Sequence, residues 1–279
     1  MSDHVAVMVV FSALLHAIWN AIVKRDQQPR AAGLAVLGVA TVLAVAFAVF
    51  SSQVAFPETR AIMWAVGAGA FEGGYFAALG LALARGPLGP AYTVARGGAM
   101  LVTWPISVAF LGESFPWAAR AGAFLIALGL ALTALNPRER ATAAGLGWAA
   151  LGAVCIGGYH VCYKLALEAR AEPAVLFALA LACALPINAV FLGSRAWRES
   201  LAALRRKPLT IAAGGASCTA SFLVFLKALS LSGAGAVLTL RNTSVLFAQV
   251  LAVWAGERVS GRALSGALLV VGGAVLLAH

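Results

Sequence analysis

Stretches of about twenty apolar residues recur along the whole chain, and no other feature constrains its fold as strongly. A bilayer core about 30 Å thick takes about 20 residues of helix to cross. Ten such stretches run at 4–23, 31–52, 61–84, 87–111, 117–135, 145–167, 173–193, 209–231, 233–254 and 259–278. Apolar residues follow one another without alternation, which excludes a β-barrel. With 62% hydrophobic and 11% charged residues, the chain could not cover the surface of a soluble domain. Pro87, Pro90, Pro116, Pro173 and Pro208 stand where helices begin, and Pro105 and Pro186 predict kinks inside spans. The longest connection, Ser194–Pro208, reads as a short basic loop. The N-terminus lacks the basic region and cleavage site of a signal peptide, so the first span is expected to be retained. Cys155, Cys162, Cys183 and Cys218 fall inside spans as small buried residues. No Cys/His metal pattern occurs, and no cofactor is expected.

The net charge of +10 is not a nucleic-acid footprint, because the cations cluster in short loops. Loops after odd-numbered spans carry Lys24, Arg25, Arg30, Arg85, Arg138, Arg140, Arg195, Arg198, Arg205, Arg206, Lys207, Arg258 and Arg262. The other side carries Arg60, Arg120 and Arg170. This asymmetry places the odd loops in the cytoplasm and both termini outside.

The sequence also repeats. Residues 61–135 and 206–278 share one layout of span, tight Gly-containing turn, span, Gly-Glu, span. One copy reads Leu83-Ala-Arg-Gly-Pro-Leu-Gly-Pro-Ala and Phe110-Leu-Gly-Glu113-Ser, the other Leu229-Ser-Leu-Ser-Gly-Ala-Gly-Ala and Trp254-Ala-Gly-Glu257-Arg. Trp19-Asn20 with Lys24 aligns with Tyr159-His160 with Lys164. Two five-span repeats, 1–140 and 141–279, follow. An odd number of spans forces the second to enter the membrane inverted.

At these residues, above all Ala228-Leu-Ser-Leu-Ser-Gly-Ala-Gly-Ala and Ala255-Gly-Glu-Arg-Val-Ser, the chain resembles the EamA-type ten-helix members of the drug/metabolite transporter superfamily. The resemblance implies an all-α membrane protein, ten transmembrane helices around a central cavity. It implies a secondary transporter that moves a small-molecule solute across a bacterial inner membrane, often outward; either a monomer or a homodimer is compatible with the sequence. Members with this pattern usually keep both termini cytoplasmic, the reverse of the orientation given by the loop charges. Most also carry small or hydroxyl residues near the positions of Arg96 and Arg241, whereas sugar-phosphate translocators of the superfamily look similar in using basic residues there.

Charges inside lipid mark pathways. Arg96 lies roughly 15 Å and Arg241 roughly 14 Å from turns on opposite sides, at about 1.5 Å per residue. The two guanidinium groups are therefore expected to meet near the midplane and to hold a carboxylate, phosphate or phosphonate. Glu72, the one acidic residue deep in a span, is either a coupling-proton site or a fixed structural partner of Arg96. His16, Trp19, Asn20 and Lys24 share one helix face, and Tyr159, His160, Tyr163 and Lys164 share another. Both faces are expected to line the cavity, since polar groups avoid lipid. Lys24 has the alternative of snorkelling to the interface. Tyr75 follows Glu72 on its face, Met100 and Trp104 continue the Arg96 face, and Asn242, Ser244 and Gln249 surround Arg241. Lys227 reads as an entrance or snorkelling residue. Glu113 and Glu257 read as complements to helix N-termini. Gly69, Gly73, Gly122, Gly129, Gly266, Gly272 and Gly273 read as close helix contacts.

Three alternatives stand beside the anion transporter, of which a non-transporting scaffold or channel subunit has little reason to place Arg96 and Arg241 at matching depths. A small-multidrug-type exporter of lipophilic cations would be expected to carry an acidic residue in its first helix, and none lies between Val5 and Lys24. An intramembrane enzyme would need a nucleophile, metal or paired-carboxylate motif, and none is present, so no enzymatic activity is expected.

Overall fold

The computed structural model describes residues 2–51, 56–111, 116–134, 142–232, 234–254, 256 and 259–277. Among them every regular element is a helix: α1 (Asp3–Lys24), α2 (Pro29–Ser51), α3 (Thr59–Leu83), α4 (Leu88–Leu111), α5 (Trp117–Ala134), α6 (Ala143–Glu168), α7 (Pro173–Arg206), α8 (Pro208–Leu231), α9 (Ala234–Arg241), α10 (Ser244–Trp254) and α11 (Gly261–Leu277). Proline opens α2, α7 and α8, where a missing N–H costs nothing. The Thr142 hydroxyl accepts from the Gly145 N–H at 3.0 Å to cap α6. The Glu172 carboxylate accepts from the N–H groups of Ala174 and Val175 to cap α7. Six helices (α1, α2, α3, α6, α7 and α8) are long and apolar enough to cross a membrane.

Polarity is distributed inside out. Phe50, Val190 and Val42 face outward at 89%, 82% and 68% exposure, while Glu72, Arg241, His16 and Asn20 are fully buried. Water would penalise such a surface, and a hydrocarbon solvent rewards it. The chain is a multi-pass integral membrane protein.

The helices interlock across the two halves of the sequence. α3 packs on α6 and α7, and α8 on α1 and α2; α4 packs on α6, and α9 and α10 on α1; α2 pairs with α7 and α5 with α11. Small residues set the closest approaches. A Cβ on Gly129 would fall 2.5 Å from the Gly266 carbonyl oxygen, and one on Gly69 2.5 Å from that of Ala180. Gly272 departs from its expected role, since a Cβ there would meet nothing within 4 Å.

Two elements differ from the expected layout. The stretch expected as the basic loop Ser194–Pro208 is helical through Arg206, because its apolar residues recur at helical spacing and find a flank of α2 to cover. The backbone stays helical through Pro186 and turns at Gly193, whose φ of 82° only glycine adopts without strain. The ninth span is broken: α9 stops at Arg241, and Asn242-Thr243 precede α10. The turn glycine Gly233 and the residues Glu113, Arg138, Arg140, Glu257 and Arg258 lie outside the described residues.

Candidate functional site

Arg241 ends α9 in the middle of the bundle and is wholly buried. Its guanidinium donates to the Ser12 hydroxyl at 3.1 Å and to His16 Nδ1 at 3.3 Å. It also lies over the rings of Phe225 and Phe222, 3.7 and 4.9 Å from their centroids. Arginine has only donors, so His16 Nδ1 must be the acceptor. The ring proton then sits on Nε2, which faces the Tyr75 hydroxyl at 3.3 Å. Ser12 is held in turn by reciprocal bonds with Ser221, each hydroxyl donating to the other's carbonyl at 2.8 and 2.9 Å. Four helices thus fix one cation.

Arg96, on α4, is 2% exposed, and its Nε and Nη1 have no partner. Among the described residues no carboxylate lies within 4.0 Å of either guanidinium. The fixed Arg96–Glu72 bridge is therefore not formed. Glu72 instead accepts from the Tyr163 hydroxyl at 2.5 Å through Oε2, leaving Oε1 unpartnered. The reason is geometric, since α3 packs far more extensively on α6, which carries Tyr163, than on its sequence neighbour α4.

Aromatic rings enclose these charges. Trp19 stacks on Phe76 at 5.3 Å, Tyr75 meets Tyr159 at 5.9 Å, Tyr159 meets Tyr163 at 5.6 Å, and His160 meets Phe225 at 5.5 Å. Trp19 Nε1, Asn20 Oδ1, the Tyr159 hydroxyl and His160 Nε2 are buried without partners. Asn20 Nδ2 is spent on the His16 carbonyl at 2.6 Å. Gln249 on α10 donates to Thr93 at 3.2 Å. So many orphaned polar atoms in one buried cluster ask for a polar ligand or water.

Most expected site residues are therefore gathered in one place, but two lysines are not. Lys164 pairs with Glu168 at 3.2 Å with its side chain partly exposed, because its position on α6 is at the rim. Lys24 neither snorkels nor lines the centre: Nζ donates to the carbonyls of Leu83 and Gly86 at 3.0 and 2.7 Å. It caps the end of α3, where carbonyls lack helical partners and the dipole is negative. Lys227 is exposed, and the Trp104 side chain lies outside the described residues. Ser12, Tyr92, Ser221, Phe222 and Phe225 belong to the cluster without having been singled out.

Neighbouring contacts tie together the helices at the end of the bundle that holds Lys24. The Arg25 guanidinium lies 4.7 Å from the Trp254 ring centroid, and Lys207 pairs with Asp26 at 3.1 Å. The Thr142 hydroxyl donates to the Arg85 carbonyl at 3.2 Å. Burial works against the charge on Asp26, but the Gln28 N–H and the Lys207 ammonium outweigh it and hold the carboxyl below its ordinary range. A polar cavity of about 410 Å³ opens at this end beside Gln28, Arg30, Arg195 and Glu199.

Residues 143–278 match the model of the EamA-like transporter family. No curated protein matches the chain. Among solved structures, one protein crystal structure aligns with a TM-score of 0.67 and 20% identity, covering 99% of this chain and 96% of that one. At that identity the likeness is one of fold alone.

Proposed function

We propose that this chain, whose residues 143–278 match the EamA-like transporter family, is a member of that family within the drug/metabolite transporter superfamily, and that it exports a small solute bearing a carboxylate, phosphate or phosphonate. The observation that carries this reading is the wholly buried Arg241, fixed by neutral acceptors and rings with no carboxylate within 4.0 Å of it among the described residues. A buried charge is expensive unless something pairs with it. An anionic solute supplies that pairing, and only while it is bound. Arg96, with two unspent donors, gives a second contact to the same head group. Trp19, Asn20, Tyr75, Tyr159, His160 and Tyr163 form the wall, and its rings suit a solute with an apolar body.

Transport without chemistry requires the site to open alternately to each side. The proposed architecture for this is ten spans in two inverted five-helix repeats, 1–140 and 141–279, in a bacterial inner membrane. Exchange of the halves maps the α3–α6 packing onto α8–α1 and the α4–α6 packing onto α9 and α10 with α1, which supports the repeat. Contact between the start of α6 and the turn after α3, and of the α1 end with that same turn, supports inversion. The break after Arg241 supports a midplane site of the kind found at interrupted helices. Glu72, with one oxygen unspent, is the candidate for a coupling proton.

Proteoliposomes loaded in turn with carboxylates, phosphates and phosphonates test the reading. Wild-type protein is expected to release at least one of them, Arg241→Gln to lose that flux by tenfold or more, and Arg241→Lys to retain part of it, since lysine keeps the charge but not the fork. Melting curves report whether each variant is folded. Wild-type flux through a folded Arg241→Gln would overturn the anion site.

A further inference from the structure

The helical stretch after Gly193 has three distinct faces at about 100° per residue. Ala196, Ser200 and Ala203 point into the protein and are 8%, 3% and 1% exposed. Next round the helix, Trp197, Leu201 and Leu204 form an apolar stripe. Beyond the stripe come Arg198 and Arg205, both exposed. Their neighbour Arg195 is already paired with Glu199 at 2.9 Å, whereas Arg198 and Arg205 have no ion pair among the described residues.

Beneath the stripe runs an apolar groove of about 250 Å³, walled on the other side by α2. Leu34, Gly38 and Val42 line it at i, i+4 and i+8, so it descends along α2 for roughly 12 Å. A Cβ added to Gly38 would meet no atom within 4 Å, so the groove is open there. Val42 is 68% exposed, which places the groove on the flank of the bundle facing hydrocarbon rather than water.

We propose that this groove binds one acyl chain of an anionic phospholipid whose head group is held by Arg198 and Arg205. An apolar slot under a tryptophan-bearing basic helix matches the amphiphile on both counts: chain to groove, phosphate to guanidinium. Each basic residue near an anionic lipid surface contributes about fivefold in partitioning. A zwitterionic lipid fills the slot equally well but brings its own cation against the arginines. The preference for negative head groups therefore resides in the two arginines, and the retention of any lipid in the groove.

The test titrates phosphatidylglycerol and phosphatidylcholine separately into the detergent-solubilised full chain and counts retained lipid by native mass spectrometry. Wild-type protein is expected to retain phosphatidylglycerol in preference, and the Arg198→Gln/Arg205→Gln double variant to lose that preference by tenfold or more. Gly38→Leu, which fills the groove from α2, is expected to lower retention of both lipids while its melting temperature stays at or above wild type. Equal retention of the two lipids by wild type, or an unchanged preference in the double variant, overturns the head-group site. Undiminished retention in Gly38→Leu overturns the groove, and so does a dimer that Gly38→Leu dissolves, which would assign the groove to a second copy of the chain.

Discussion

Arg241 shows how one side chain was legible in sequence while its setting was not. A cation within an apolar run is conspicuous, and both Arg241 and Arg96 are buried as expected. Ser12, one turn before His16, and Tyr92, one turn before Arg96, were also within reach of helical spacing. Phe222 and Phe225 were not, because a sequence does not distinguish a phenylalanine under a guanidinium from one facing lipid. The cross-helix pairing of Glu72 with Tyr163 likewise depends on tertiary packing. Removing the Ser12 hydroxyl deletes a hydrogen bond to a charged group, worth about 1.5–3 kcal/mol. Ser12→Ala should therefore raise the half-saturating concentration for the anion roughly tenfold or more, measured as flux against concentration. Glu72→Gln keeps an acceptor for Tyr163 and should fold normally. If Glu72 carries the coupling proton, its flux should no longer respond to an imposed pH gradient, and a retained response would assign Glu72 to structure.

At the scale of elements, the ends of most spans followed from proline placement and apolar length, because both are local. The helix after Gly193 was hidden by its own charges, since a basic amphipathic segment on a membrane surface has the composition of a loop. The cap on α3 was hidden by distance, as Lys24 and Gly86 are far apart in the chain. The successive residues Lys24, Arg25 and Asp26 each secure a different partner at one end of the bundle. The Asp26–Lys207 pair has a predictable pH signature. A carboxyl depressed in the folded state contributes stability above its unfolded pKa of about 3.9 and loses it as pH falls through the folded value. Asp26→Asn should accordingly melt slightly below wild type at neutral pH, by under about 1 kcal/mol for so exposed a lysine, with the gap closing in acid. Melting curves between pH 3 and 7 would show it. The α5–α11 seam should respond far more strongly. Gly129→Leu would drive a side chain into the Gly266 carbonyl, and loss of folded protein is expected on size-exclusion chromatography.

For the whole molecule, packing recurs between the halves, with α3 on α6 and α8 on α1, and with α4 on α6 and α10 on α1. Orientation in the membrane is a separate matter, set by loop cations. A single cysteine at Ser194 should react with an impermeant thiol reagent only from the cytoplasmic side, and labelling from outside would reverse the assignment. The halves are also not mechanically equal. α4 carries Arg96 within a continuous helix, so that charge travels with its whole rod. Arg241 sits at a joint, with α9 ending on it and α10 starting three residues later. In the proposed anion site, a change of residue at Asn242 or Thr243 would therefore act on the angle between two short rods, and through it on the guanidinium, while every wall residue stays the same.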